Sequence, residues 1–174
     1  MSEDIHMGLP LEIGQEVPNV DLPTLVDGKF ENLNTKEEFA GKRVILFSLP
    51  GAFTPTCSNN QLPGFEENFA KFQEKGIDAI YCLSVNDSFV MNAWFEMKGI
   101  VNVKPLADGN GEFTHKIGAE CKKSNVGFGY RSWRYAVVLN DGLVESVFIE
   151  EGFQDNIESD PYEASSPENV LSNL

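Results

Sequence analysis

The feature that most constrains this chain is the apolar run Val44-Ile45-Leu46-Phe47, entered from Lys42-Arg43 and followed closely by the Pro50-Gly51 break. A strand without polar alternation is buried on both faces, so it lies inside a sheet covered on each side. Residues 77–85 read as a second strand of this kind. Between the two, residues 58–75 carry Leu62, Phe65, Phe69 and Phe72 at three- and four-residue spacing. That spacing makes one apolar helix face, and Gly76 is a suitable terminator. Pro63 falls inside the segment and predicts a kink or a broken first turn.

Shorter signals fill in the rest. Thr35-Lys36-Glu37-Glu38 reads as a capping box opening a short helix that Gly41 stops. Ser88 is placed to cap a helix through Met97, with Val90, Met91, Trp94 and Phe95 toward the core. Residues 103–107 read as a short strand and 112–117 as a short helix. A hairpin follows, from Arg134 to Leu139, through Asn140-Asp141-Gly142, and on from Leu143 to Ile149. Ser166-Pro167 places a cap and a first-turn proline before a last helix over 168–174. The order β-α-β-α-β, hairpin, α is an α/β layer structure with a central mixed sheet flanked by helices, the pattern of a thioredoxin-like fold. One domain is expected over residues 13–174, behind a loosely held N-terminal tail of residues 1–12.

A chain of 174 residues, 41% of them hydrophobic, can bury a core without disulfide staples. Its three cysteines, Cys57, Cys82 and Cys121, are too few and too odd for a disulfide framework and suit a reducing compartment. The net charge of −14 argues against nucleic acid or an anionic membrane as partner. The first residues carry no basic, then apolar, secretory pattern, and no apolar stretch approaches the roughly 20 residues that span a bilayer. A cytoplasmic location is the expectation, with an organellar address in a longer precursor left open. His6 and His115 have no ligand-like spacing with each other or with the cysteines, so neither a metal nor another cofactor is expected.

Cys57 is the residue that chemistry singles out. It falls between the first buried strand and the amphipathic helix, in the first helical turn. Unsatisfied backbone N–H groups and the helix dipole there favour thiolate over thiol, and the thiolate is the nucleophile. The preceding loop, from Pro50 to Thr56, holds two prolines and a glycine that bring backbone close to the sulfur. Thr54 can turn its hydroxyl toward the thiolate or a bound oxygen; alternatively Thr54 or Thr56 simply caps the helix. Cys57-Ser58-Asn59-Asn60 lacks a second cysteine three residues on, which excludes a thioredoxin-type dithiol.

Pro50-xxx-Thr54-xx-Cys57 resembles the peroxiredoxin active-site motif, and Leu49-Pro-Gly-Ala-Phe-Thr-Pro-Thr-Cys-Ser58 is similar to the form used by the peroxiredoxin-5 subfamily. Further blocks resemble the same subfamily: residues 84–94, 108–114, and 127–135 with Arg131, Trp133, Arg134 and Tyr135. The resemblance implies a thiol-dependent peroxidase that reduces hydrogen peroxide and alkyl hydroperoxides. Cys57 would be its peroxidatic nucleophile. Thr54 would hydrogen-bond the sulfur and the peroxide, Arg134 would stabilise thiolate and developing oxygen charge, and Pro50 would shield the sulfur from water. Arg131 competes with Arg134 for its role.

The sulfenic acid formed on Cys57 needs a second thiol. The stretch 160–166 has no cysteine where some relatives carry a resolving one. Cys82 matches the position used by others, similar to plant type II peroxiredoxins, yet it lies in an apolar strand and reads equally as a core thiol. Glutathione, glutaredoxin or thioredoxin is then the external reductant. Cys121 reads as incidental, in a loop among lysines. Relatives imply a homodimer. A redox sensor, in which Cys57 is oxidised without turnover, is the alternative that peroxide consumption under excess thiol would separate.

Overall fold

The computed structural model describes residues 11–174; His6 and most of the expected tail lie outside them. Within that span the strands are β1 (Asp21–Val26), β2 (Lys29–Asn34), β3 (Arg43–Ser48), β4 (Ala79–Ser84), β5 (Lys104–Ala107), β6 (Glu120–Lys122), β7 (Tyr130–Ser132), β8 (Tyr135–Asn140) and β9 (Leu143–Ile149). The helices are α1 (Thr35–Phe39), α2 (Leu62–Glu67), α3 (Phe69–Glu74), α4 (Ser88–Met97), α5 (Glu112–Lys116) and α6 (Pro167–Ser172).

Five strands make the central sheet in the order β5-β4-β3-β8-β9. β3 pairs parallel with β4, and β4 with β5, while β8 runs antiparallel to both β3 and β9. The mixed sheet follows from the chain's connections: helical crossovers join the parallel strands, and a two-residue turn joins the antiparallel pair. Because side chains alternate across a strand, two cores form. Val44, Leu46, Tyr81, Leu83, Val137 and Leu139 fill one face of the sheet. Ile45, Phe47, Ile80, Cys82, Ala136 and Val138 fill the other, together with Leu62, Phe65, Phe72, Trp94 and Cys57. Leu11, in the stretch expected to be loosely held, is buried against the first core.

Several local readings shift by a residue. Asn34, not Thr35, caps α1 by accepting from the Glu37 N–H, because Thr35 Oγ1 is taken by the Val20 N–H and the Pro18 carbonyl. Asp87, not Ser88, caps α4 by accepting from Val90 N–H, while Ser88 Oγ receives the N–H of Leu25. Val90 is only partly buried, unlike Met91, Trp94 and Phe95. The long helix expected over 58–75 is divided into a π-helical turn (Cys57–Gln61), α2 and α3. Pro63 has no N–H for the carbonyl four residues back and its ring crowds that carbonyl, so the turn before it widens and Leu62 N–H bonds Cys57 O instead. The second break is at Asn68, whose side chain donates to Gly64 O.

Two hairpins escape the apolar pattern. β1 and β2 pair through the turn Asp27-Gly28, with φ of 50° and 80°. The turn of β8 and β9, Asp141-Gly142, has φ of 52° and 77°, the same primed geometry. β6 and β7 form a second small sheet. Cys121 sits in β6 and is buried, so the loop placement expected for it is corrected; burial pushes its thiol up to about 11.

Candidate active site

The chain leaves β3 at Ser48 and turns sharply through residues 50–54 before re-entering helix at 55. Gly51 leaves room in that turn for Arg131: a Cβ there would displace the Arg131 guanidinium tip and press on Thr54 Cγ2. Phe53 takes a left-handed φ of 67°, a conformation that costs a non-glycine residue about 1 kcal/mol or more. The carbonyl of Thr54 receives the Ser58 N–H, which starts the helix and sets Cys57 in its first turn. Trp94 Nε1 donates to Ser58 Oγ at 2.8 Å and ties that turn to α4.

Cys57 has no exposed surface. Its sulfur nevertheless has a charged neighbour: Arg134 Nη1 lies 3.4 Å away. The guanidinium is anchored around its rim. Nη1 also donates to Gln61 Oε1 at 2.6 Å, Nη2 to Asp160 Oδ1 at 2.7 Å, and Nε to the Pro161 carbonyl at 3.2 Å. Burial opposes the charge on Arg134, but the Cys57 sulfur and Asp160 outweigh it and hold its pKa above the ordinary value. Arg131 is set differently. It donates from Nη1 to Pro50 O at 2.9 Å and from Nε to Phe128 O, and lies over the Phe128 ring. The structure therefore brings Arg134 to the sulfur and gives Arg131 the loop backbone.

Thr54 departs from expectation. Its hydroxyl donates to Gly51 O at 2.7 Å rather than to the sulfur, since the tight turn puts that carbonyl directly in reach. Thr54 still lines a hollow of about 160 Å³ that reaches Arg134, with Pro50, Pro55, Phe128 and Asp160. Thr56, read as a possible cap, makes no capping hydrogen bond with its side chain; its hydroxyl favours the ionised form of the Asp160 carboxyl.

Cys82 lies on the same face of the sheet as Cys57, but at the middle of β4, between Phe47 of β3 and Pro105 of β5. Burial, reinforced by the Cys57 sulfur, pushes its thiol well above the ordinary range. All three cysteines are free thiols. Among the described residues no three His, Cys, Asp or Glu side chains gather where they could hold a metal ion, and no helix is long and apolar enough to cross a membrane.

Sequence reasoning missed the residues that hold Arg134. Gln61 and Asp160 have no motif of their own. Asp160 belongs to a strap, residues 150–166, fixed by the buried Glu150 carboxylate, which accepts the N–H groups of Glu163, Ala164 and Ser165 and the Ser165 hydroxyl. Burial raises the carboxyl pKa of Asp160, but Arg134 and the Thr56 hydroxyl more than offset this and leave it below the usual value. A carboxyl with a depressed folded pKa adds stability above its unfolded pKa, about 3.9, and loses it as pH falls through the folded value. Asp160→Asn should thus lower the melting temperature most at about pH 5 and above, with the difference from wild type shrinking below about pH 3. Paired thermal melts across that range check it; a pH-independent difference would assign Asp160 no ionic role.

A thioredoxin-like sheet with one thiol set against a buried guanidinium at a helix start defines a thiol-based redox enzyme. The comparisons make the class specific. The Redoxin family model matches residues 12–164. Peroxiredoxin y4vD of Sinorhizobium fredii is 60% identical over 84% of this chain and 78% of its own. Peroxiredoxin sll1621 of Synechocystis is 54% identical over 84% of this chain and 77% of its own. Among solved structures, a Plasmodium falciparum antioxidant protein described as a 1-Cys peroxiredoxin superposes with a TM-score of 0.90 at 37% identity, covering 94% of this chain and all of that one. Reduced Prx3 of Vibrio vulnificus in complex with H2O2 gives 0.84 at 38%, over 94% and 95%. The chain belongs to the peroxiredoxins. It is a thiol-dependent peroxidase.

Proposed function

We propose that Cys57 is the peroxidatic residue, that hydrogen peroxide and alkyl hydroperoxides are its substrates, and that an external thiol regenerates it. The observation that carries the reading is Arg134 Nη1 placed 3.4 Å from a buried sulfur at a helix start. The Cys57 thiolate attacks the terminal oxygen of the hydroperoxide. The O–O bond breaks, the sulfur becomes a sulfenic acid, and the second oxygen leaves as alkoxide or hydroxide and takes up a proton. Negative charge thus moves from sulfur to the leaving oxygen. A planar guanidinium, fixed by Asp160, Gln61 and Pro161, can follow it without rearranging. Among the described residues four of its five N–H groups have acceptors; the fifth, on Nη2, is offered to an oxygen of the substrate. Pro50, Pro55 and Phe128 supply the apolar part of the approach, and the Thr54 hydroxyl, its proton held by the Gly51 carbonyl, offers lone pairs to a peroxide O–H. No metal or other cofactor takes part.

A reducing thiol then attacks the sulfenic sulfur, releasing water and forming a mixed disulfide, which a second thiol opens. Cys82 is a poor candidate for the first of these thiols. Its burial disfavours the thiolate, and reaching Cys57 would require β4 or the first helical turn to come apart. The π-helical turn is the weak point through which Cys57 can swing outward to glutathione, glutaredoxin or thioredoxin. A homodimer in the cytoplasm completes the reading. Protein treated with one equivalent of peroxide and no reductant should yield a sulfenic acid on Cys57 by mass mapping, and added glutathione should convert it to a mixed disulfide. An intramolecular Cys57–Cys82 bond as main product would refute external resolution. Oxidation without turnover under excess thiol would refute the peroxidase reading of Cys57.

A further inference from the structure

The hydrogen bonds that reach Arg134 from the strap run in one direction. Glu150, 3% exposed, is an acceptor throughout and takes the Ser165 hydroxyl proton at 2.6 Å. Ser165 Oγ is then left only as an acceptor. Gln61 Nε2 donates to it at 3.3 Å and lies 3.5 Å from the Ser165 carbonyl. That fixes which way the Gln61 amide points, and its Oε1 faces Arg134 Nη1 at 2.6 Å. The second N–H of the same Nη1 meets the Cys57 sulfur. Gln61 and Ser165 have no exposed surface, so water cannot replace either partner.

We propose that Gln61 is a positioning residue for the peroxidase reaction. It fixes Nη1 of Arg134 against the sulfur, and its own amide is oriented by Ser165 and Glu150. The inference rests on the reading of Cys57 and Arg134 above. The other bonds of Arg134 hold Nε and Nη2, so among the described residues Gln61 alone shares Nη1 with the sulfur. The π-helical turn contributes to this arrangement. By bonding Leu62 N–H to Cys57 O, it lets residues 57 and 61 both face the guanidinium.

The test is the pH dependence of Cys57 alkylation by iodoacetamide in the full chain, with the labelled site mapped by mass and thermal melts run in parallel. Gln61→Leu should move the half-maximal pH upward by about half to one unit. Ser165→Ala should move it the same way by less, and the double variant no further than Gln61→Leu. Leu62→Ala, equally buried one residue on, should lower the melting temperature and leave the midpoint in place. A wild-type midpoint in Gln61→Leu, with label on Cys57, would overturn the positioning role alone, as would an equal shift in Leu62→Ala. Wild-type label on another cysteine would overturn the reading of the site and this inference with it.

Discussion

Cys57→Ser is expected to lower thiol-dependent peroxide reduction by on the order of 10⁴-fold or more, the scale of losing a covalent nucleophile. A serine hydroxyl ionises far above neutral pH and is a weak nucleophile toward an O–O bond, so no partial rescue through the same step is available. The fold should survive. Serine is close to cysteine in shape, and its oxygen can accept from Arg134 Nη1 where the sulfur does now. Gln61, Asp160 and Pro161 continue to hold the guanidinium. The cost is the burial of a hydroxyl in a site with no exposed surface, about 1–2 kcal/mol. Hydrogen peroxide consumption with excess dithiothreitol, beside far-ultraviolet circular dichroism, separates the two effects. A folded variant that keeps wild-type turnover would move the nucleophile elsewhere, Cys82 being the next thiol on the same face of the sheet.

The parts of this molecule legible in its sequence are those whose signal is strong and local. Residues 44–47 and 79–83 show no polar alternation because both faces of the sheet are covered, and they emerge within β3 and β4 with neighbours on each side. Ser166-Pro167 opens α6 as its chemistry requires, with Ser166 accepting from Asn169 N–H. The β1–β2 hairpin was obscured because most of its residues face solvent and Pro23 interrupts it, although Asp27-Gly28 carries the same turn signal as Asp141-Gly142. Caps were displaced by one residue wherever a tertiary contact claimed the more obvious hydroxyl, as Leu25 claims Ser88. At the site, Cys57, Pro50 and Arg134 belong to motifs and could be placed. Gln61 and Asp160 could not, because an amide four residues after a cysteine and an acid in an irregular strap acquire meaning only when folding brings them to one guanidinium. The bond expected from Thr54 to the sulfur fails for a similar reason: sequence shows that a hydroxyl is nearby, while the choice between a sulfur and a backbone carbonyl depends on the turn.

Arg134 is the residue whose loss should reveal how the site divides its labour. Arg134→Met removes the positive charge 3.4 Å from the sulfur while keeping much of the side chain's bulk. An opposite charge at that distance stabilises an ionised group by one or more pH units, so the half-maximal pH of Cys57 alkylation should rise by about 1–2 units. Peroxide turnover should fall further than the lost thiolate explains, by about 10²- to 10³-fold in kcat/KM, because the same guanidinium also meets charge arriving on the leaving oxygen. Arg134→Lys tests geometry against charge: an ammonium cannot reach the sulfur, Gln61, Asp160 and the Pro161 carbonyl at once, so it should recover part of the alkylation shift and little of the turnover. Arg131→Met is the matched comparison. Its guanidinium serves Pro50 O and the Phe128 ring, so its loss should loosen the loop and move the midpoint less than Arg134→Met. Equal shifts from the two arginines would mean that the general field of the pocket, rather than one directed N–H, keeps the sulfur reactive. A larger shift from Arg131 would exchange their roles.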